Sequence, residues 1–319
     1  MAKIATLSLN PTIDLMTETD LVRPTHKIRT ANETYEPGGG GVNVARVIME
    51  LGGDATLICP AGGFTGQMME ELLGRIPLPR VIVPIAGNTR VSITIFERKT
   101  GHEFRFTPNG PRLSAEEIAA CLDAVRAAKF DYLVASGSVP LGAPSDILAQ
   151  VADIVASKGA KFVLDSSGAG LSVTLEKAHV YLVKPSVSEL ETMVGRRLDH
   201  DGLREAAADL VHRGRADIVA VTMGASGALV VTKDQTLRIR SPKVEARSAV
   251  GAGDAFVGAM TLALSEGRTM EDALILATAA GAATTLTPVA KVCAMEDVQR
   301  LNGEMKATNH MMRHLHPHD

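Results

Sequence analysis

The sequence predicts an α/β fold in three layers, a mostly parallel central sheet covered by helices on both faces, with a small separate β-sheet attached. Three observations carry this. Short apolar runs alternate with runs of helical periodicity along most of the 319 residues, the pattern of repeated β-α units whose strands are buried on both faces. Two segments break that rhythm with a period of two, which marks strands with one wet and one dry face. No internal repeat or low-complexity linker divides the chain, so residues 1–319 read as one domain.

Residues 3–9 read as the first strand. Residues 42–51 have helical periodicity and stop at Gly52-Gly53, a common helix end because glycine takes the left-handed turn without strain. Residues 55–59 form a second buried strand. Helix 116–128 leads to strand 132–135, and helix 147–157 to strand 162–164. Strand 180–183 is followed by a helix from about Ser188, then helix 203–213 and strand 218–222. The Ala-rich run 256–264 has helical spacing. Residues 273–286 are apolar but short and rich in Ala, Gly and Thr, a buried helix rather than a membrane span. The alternating segments lie within about 17–37 and 88–106, as in Arg90-Val91-Ser92-Ile93-Thr94-Ile95-Phe96 and Glu103-Phe104-Arg105-Phe106. A small sheet of this kind can act as a lid, which matters wherever water would compete for a transferred group.

Composition excludes several function classes. The apolar fraction of 45% and charged fraction of 22% are those of an ordinary globular protein. A formal net charge of −3 and scattered Lys and Arg leave no footprint for nucleic acid, and no segment points to a membrane. Cys59, Cys121 and Cys293 are far apart and form no CxxC pair, which argues against a disulfide framework or structural zinc and for a reducing cytoplasm. The opening MAKIATLSLNPTID lacks the layout of a signal peptide. The tail carries His310, His314, His316 and His318, read as a solvated terminus in preference to a metal site.

The chemistry concentrates in Ser248-Ala249-Val250-Gly251-Ala252-Gly253-Asp254-Ala255-Phe256. Small, flexible residues precede an acid and a helical run, which places unpartnered amides at a helix start, where the aligned peptide dipoles attract anions. A carboxylate beside an anion hole is a poor choice for binding alone, since like charges repel. It suits a base that takes a proton from a hydroxyl while Gly251, Ala252 and Gly253 steady the group being attacked.

Other segments complete a pattern. Gly38-Gly39-Gly40-Gly41 is costly to order and suggests that something approaches the backbone closely; Asn43 follows in the first turn of the next helix, where its amide can face that ligand. Asp14, expected at the end of the first strand, can accept hydrogen bonds from neighbouring sugar hydroxyls, or serve as an N-cap. Lys27, Arg90 and Arg105 lie on or near the expected lid and as a set suit a phosphate already on the substrate. Glu189 can hold Mg²⁺ directly or through water, or answer the dipole of its own helix. Thr222-Met223-Gly224-Ala225-Ser226-Gly227 is a strand-to-strand turn whose small residues would let a nucleotide lie against the backbone. A Walker A loop, a G-x-G-x-x-G turn after the first strand and the protein-kinase catalytic loop are all absent.

Taken in order, these segments resemble the PfkB sugar-kinase family of the ribokinase-like fold: Gly38 through Ala45 match its early glycine-rich signature, and Val250 through Phe256 its late one. Within the family, the all-glycine run, Asp165-Ser166-Ser167-Gly168 and Pro60-Ala61-Gly62-Gly63 are similar to the 6-phosphofructokinase branch. The resemblance implies ATP-dependent phosphorylation of fructose 6-phosphate at its 1-hydroxyl. Tagatose-6-phosphate kinase and 1-phosphofructokinase stay open as alternatives, as does, more remotely, a non-catalytic regulator that binds phosphosugar or nucleotide. It implies that Asp254 is the base and Gly251 to Gly253 the anion hole. It puts Asp14, Gly39, Asn43, Arg90, Arg105 and Ser138 around the phosphosugar, and Lys27, Lys184, Ser186, Thr222, Gly224, Ser226 and Gly227 on the ATP side. Glu189 would support magnesium, and the Ser248 and Val250 carbonyls a potassium ion. Where the family usually has Asn, this chain has Ser186, whose shorter side chain would reach metal or phosphate through water. The resemblance also implies a homodimer packed through the lid sheets.

Overall fold

The computed structural model describes residues 2–287 and 291–315. In chain order the elements are β1 (Ile4–Leu7), β2 (Thr12–Thr19), β3 (Ala31–Gly38), α1 (Gly40–Glu50), β4 (Ala55–Gly62), α2 (Gly63–Gly74), β5 (Arg80–Ile85), β6 (Arg90–Glu97), β7 (Glu103–Phe106), α3 (Ala115–Ala127), β8 (Tyr132–Ser136), α4 (Ile147–Ser157), β9 (Lys161–Asp165), α5 (Gly168–Lys177), β10 (Val180–Val183), α6 (Val187–Val194), α7 (His200–His212), β11 (Ala216–Thr222), β12 (Ala228–Thr232), β13 (Thr236–Ile239), α8 (Ala252–Ser265), α9 (Met270–Leu286) and α10 (Met295–Leu315).

Nine strands form the main sheet in the order β13-β12-β11-β10-β9-β8-β1-β4-β5. Pairing is parallel from β11 to β5, and β12 and β13 close the other edge antiparallel. Each parallel strand is followed by a helix or a crossover, so both faces are covered. One core holds α1, α2, α8, α9 and α10 against the sheet, and the other holds α3 to α7. Helix α8 is buried from Ala255 through Ala263, as expected of a helix that is apolar all round. The expected three-layer architecture is therefore present. No described helix is long and apolar enough to cross a membrane. His316 and His318 lie outside the described residues, as do the side chains of His310 and His314.

The second sheet has four strands in the order β3-β2-β6-β7. It begins at Thr12, earlier than the 17 expected. The expected first strand 3–9 also shortens to Ile4–Leu7, because the chain breaks at Asn10-Pro11 and leaves the main sheet. Asp14 consequently sits inside β2 of the small sheet and not at the end of the first strand. Side chains alternate across a strand, and the register assigns them: Asp14 pairs with Ser92, and Thr94 with Arg105, on one face. On the other, Tyr35, Leu15, Ile93 and Phe106 form an apolar row across all four strands.

The glycine run joins the two sheets, and what approaches it is the protein itself. A side chain on Gly41 would collide with the carbonyl oxygen of Leu7 in β1, and one on Gly40 with Ser136 at the end of β8. The start of α1 is thereby pressed against the carboxyl ends of the central strands, where ligands bind on such sheets.

Candidate active site

The loop before α8 is anchored by the amides of Arg247 and Ser248, which donate to the Thr285 carbonyl at 2.7 and 3.3 Å. Gly251 caps α8 with φ +77°, a conformation that side chains disfavour. The Ala252 amide reaches back weakly to the Ala249 carbonyl at 3.4 Å. Among the described residues the amides of Gly251, Gly253 and Asp254 have no partner. The unpartnered amides differ from the expected set of Gly251, Ala252 and Gly253: Asp254 contributes one and Ala252 is largely diverted.

Asp254 lies in the first turn of α8. Asn43 donates its Nδ2–H to Asp254 Oδ2 at 2.9 Å, and the Ser136 hydroxyl stands 3.4 Å from Oδ1. That hydroxyl has one proton and lies closer, at 2.9 Å, to Asp165 Oδ2. Asp165 in turn pairs with Lys184, Nζ to Oδ1 at 3.1 Å. Ser136, Asp165 and Lys184 occupy or follow the carboxyl ends of adjacent β8, β9 and β10. Burial pushes the Asp254 carboxyl up to about 7, the negative Asp165 adds to this, and Asn43, Lys184 and Ser136 restrain it. Burial works against the charge of Lys184, but Asp165, Glu189 and Asp254 around it leave its pKa above the ordinary value. The ammonium thus stays charged beside the hole, close to Gly253.

On the other side of Asp254 lies the polar face of the small sheet. Burial raises the Asp14 carboxyl to about 6 against the pull of Arg105, Arg46 and Arg90. Arg90 donates to the carbonyls of Pro108 and Asn10 at 3.1 and 2.7 Å, while its Nε is buried without a partner. Asn10 holds the exposed Ser138 hydroxyl at 3.0 Å. Arg105 is exposed on β7, and Gly39 caps α1 with φ +101°. Asp14, Arg90, Arg105 and Asn43 are brought to one region. Lys27 is not joined to it: it lies exposed between β2 and β3, without a bonded partner among the described residues.

A cavity of about 580 Å³ opens on the third side, lined by Thr222, Gly224, Gly227, Val244, Gly253 and Phe256 among others. It reaches from the β11–β12 turn to the hole. Ser226, expected here, is exposed within that turn and does not line it. Ser186 is the N-cap of α6 in a capping box: its hydroxyl accepts from the Glu189 amide at 3.3 Å, and Glu189 Oε2 accepts from the Ser186 amide at 2.7 Å. The Ser186 hydroxyl is engaged in capping, while one Glu189 oxygen remains. A single carboxylate completed by waters fits Mg²⁺. The carbonyl oxygens of Ser248 and Val250 accept no hydrogen bond among the described residues, which leaves both lone pairs of each free to meet a cation.

Residues 7–297 match the family model for pfkB family carbohydrate kinases. The chain belongs to that family. It is 44% identical over 301 residues to the ATP-dependent 6-phosphofructokinase isozyme 2 of Mycobacterium tuberculosis, covering 93% of this chain and 88% of the relative. Phosphofructokinase-2 from Escherichia coli, solved in complex with potassium, superposes with a TM-score of 0.93 at 37% identity, covering 96% of this chain and 100% of the other. The same enzyme in complex with fructose 6-phosphate superposes with a TM-score of 0.91 at 36% identity and equal coverage. The fold is ribokinase-like, and this PfkB kinase is a phosphotransferase with an alcohol acceptor.

Three residues of this PfkB kinase site escape sequence reasoning. Ser136 and Asp165 meet Asp254 only through strand order, although each ends a short apolar run, which is the available signal. Arg46, on α1, holds Glu36 at 2.8 Å beside Asp14. A cation three residues after Asn43, and so on the same face of the helix, was the clue to it.

Proposed function

We propose that this PfkB kinase transfers the γ-phosphoryl group of ATP to the 1-hydroxyl of fructose 6-phosphate, giving fructose 1,6-bisphosphate. The observation that carries the reading is Asp254: a carboxylate raised to about 7, next to unpartnered helix-start amides and between a cation-bearing sugar side and a nucleotide-sized cavity. A base poised near the working pH combines a useful ionised fraction with the driving force to accept a proton.

Asp14, Asn43 and Ser138 orient the sugar, and Arg90 and Arg105 face its 6-phosphate. Asp254 takes the proton of the 1-hydroxyl as it attacks. The amides of Gly251, Gly253 and Asp254, with Lys184 beside them, hold the phosphoryl group as charge spreads over its oxygens. Magnesium, when bound, neutralises charge on the β- and γ-phosphates, and Glu189 would hold it through water. Ser248 and Val250 would offer their carbonyls to potassium, as the potassium complex of the E. coli relative makes natural. The cavity from Thr222 to Phe256 takes the base and ribose. The apolar row of Tyr35, Leu15, Ile93 and Phe106, with Tyr35 and Phe106 exposed, supports a homodimer through the small sheets.

A coupled assay of ADP release tests the substrate. Fructose 6-phosphate should give the highest kcat/KM of a panel with tagatose 6-phosphate, fructose 1-phosphate and unphosphorylated fructose. A higher value for either phosphosugar rival would reassign the substrate, and no ADP release with any sugar would make the chain a binding protein.

A further inference from the structure

Glu103 opens β7, the edge strand of the small sheet. It lies two residues before Arg105, and so on the same face of the strand. Its carboxylate crosses to the main body and accepts the hydroxyl proton of Ser248, Oγ to Oε2 at 3.0 Å. Ser248 is buried. The same hydroxyl oxygen accepts from the Val250 amide at 3.3 Å, and Gly251 follows. The root of this loop is tied to Thr285; its outer part, from Ser248 to the hole, is shaped by the Ser248 hydroxyl, whose proton goes to the small sheet.

We propose that Glu103 is a positioning residue that links the sugar-binding sheet to the loop opening the phosphoryl hole, so that each substrate tightens the binding of the other. The link rests on the functional reading above. A bond from a buried hydroxyl to a carboxylate is stronger than one between neutral groups, and its loss leaves a buried donor unpaired. Sugar phosphate that fixes β7 through Arg105 also fixes Glu103, and through Ser248 the amides that receive the γ-phosphoryl group. Nucleotide seated against those amides fixes the same chain from its other end. Because coupling of binding is reciprocal, either substrate serves to measure it.

The experiment is calorimetric titration of the full-length protein with fructose 6-phosphate, with and without a non-hydrolysable ATP analogue and magnesium. For the native protein, affinity should rise about 5-fold or more with the analogue present, the low end of usual coupling. Glu103→Ala should bring that factor close to one while each ligand alone binds nearly as before, with the melting temperature lowered by a few degrees at most for the unpaired Ser248 hydroxyl. Glu103→Gln, whose amide oxygen can still accept from Ser248, should restore it. A native factor of one, or an undiminished factor in Glu103→Ala, overturns the proposal. If the native protein binds no fructose 6-phosphate, the substrate assignment fails and this link fails with it; intact binding and turnover with unchanged coupling in the variant sinks the link alone.

Discussion

Asn43 and Asp254, 211 residues apart, are joined by a 2.9 Å hydrogen bond from the amide of one to the carboxylate of the other. The bond connects the two glycine-bearing helix starts. One is pressed onto β1 and β8 by Gly40 and Gly41, and the other is opened by Gly251. The side chain proposed to orient the sugar therefore also lowers the pKa of the proposed base.

An amide donor favours the ionised carboxylate, so Asn43 lowers the Asp254 pKa from what burial alone would impose. Asn43→Ala should move the acidic limb of the kcat profile to higher pH, because more base is needed to ionise Asp254. Rates from pH 5 to 9 check this; an unmoved or lowered limb contradicts it.

Lys184 and Asp165 form a buried ion pair. Lys184→Met leaves a carboxylate buried without its cation, a loss typically worth about 3–5 kcal/mol. Urea unfolding should show a lowered midpoint, and activity should fall as Asp254 becomes harder to ionise.

Asp14 illustrates a site that costs stability. Its folded pKa of about 6 exceeds the 3.8 of an unburied aspartate, so the folded state binds this proton more tightly than the unfolded chain. Ionised Asp14 therefore weakens the fold, fully above pH about 6 and not at all below pH about 4. Asp14→Asn should melt higher than the native protein at pH 7, with the gap closing towards pH 4, and its KM for the phosphosugar should rise. Melting curves across that range decide it.

The apolar row on the small sheet predicts its own cover. Leu15→Glu combined with Phe106→Glu should convert the dimer to a monomer by light scattering, while the native chain stays dimeric at micromolar concentration. A native monomer contradicts the homodimer.

What the sequence made legible was local. The turn from Gly251 to Asp254 announces itself because small residues, an acid and an apolar helix follow in succession, and the main strands do so by short apolar runs. Helices α2 and α5 escaped because each opens with a glycine and carries a second one in its first turn (Gly63 and Gly66, Gly168 and Gly170), which reads as loop. Asp14 was misplaced because Asn10-Pro11 looks like the end of a strand when it is the crossing between two sheets. The glycine run was read as a place where something approaches the backbone closely; at Gly40 and Gly41 that is Ser136 and Leu7 of the chain itself. Ser186 looked like a ligand contact, and capping α6 uses its hydroxyl. Ser136, Asp165 and Lys184 converge only because β8, β9 and β10 lie side by side, a fact of topology that no short stretch of residues contains.

The most direct test is the turnover of Asp254→Asn with saturating MgATP and fructose 6-phosphate. Removing a general base typically lowers the rate by about 10²–10⁴-fold, and since the hole and the sugar contacts remain, KM should change far less. That outcome is the one expected; a kcat within a few-fold of the native protein would show that the proton leaves the sugar hydroxyl by another route.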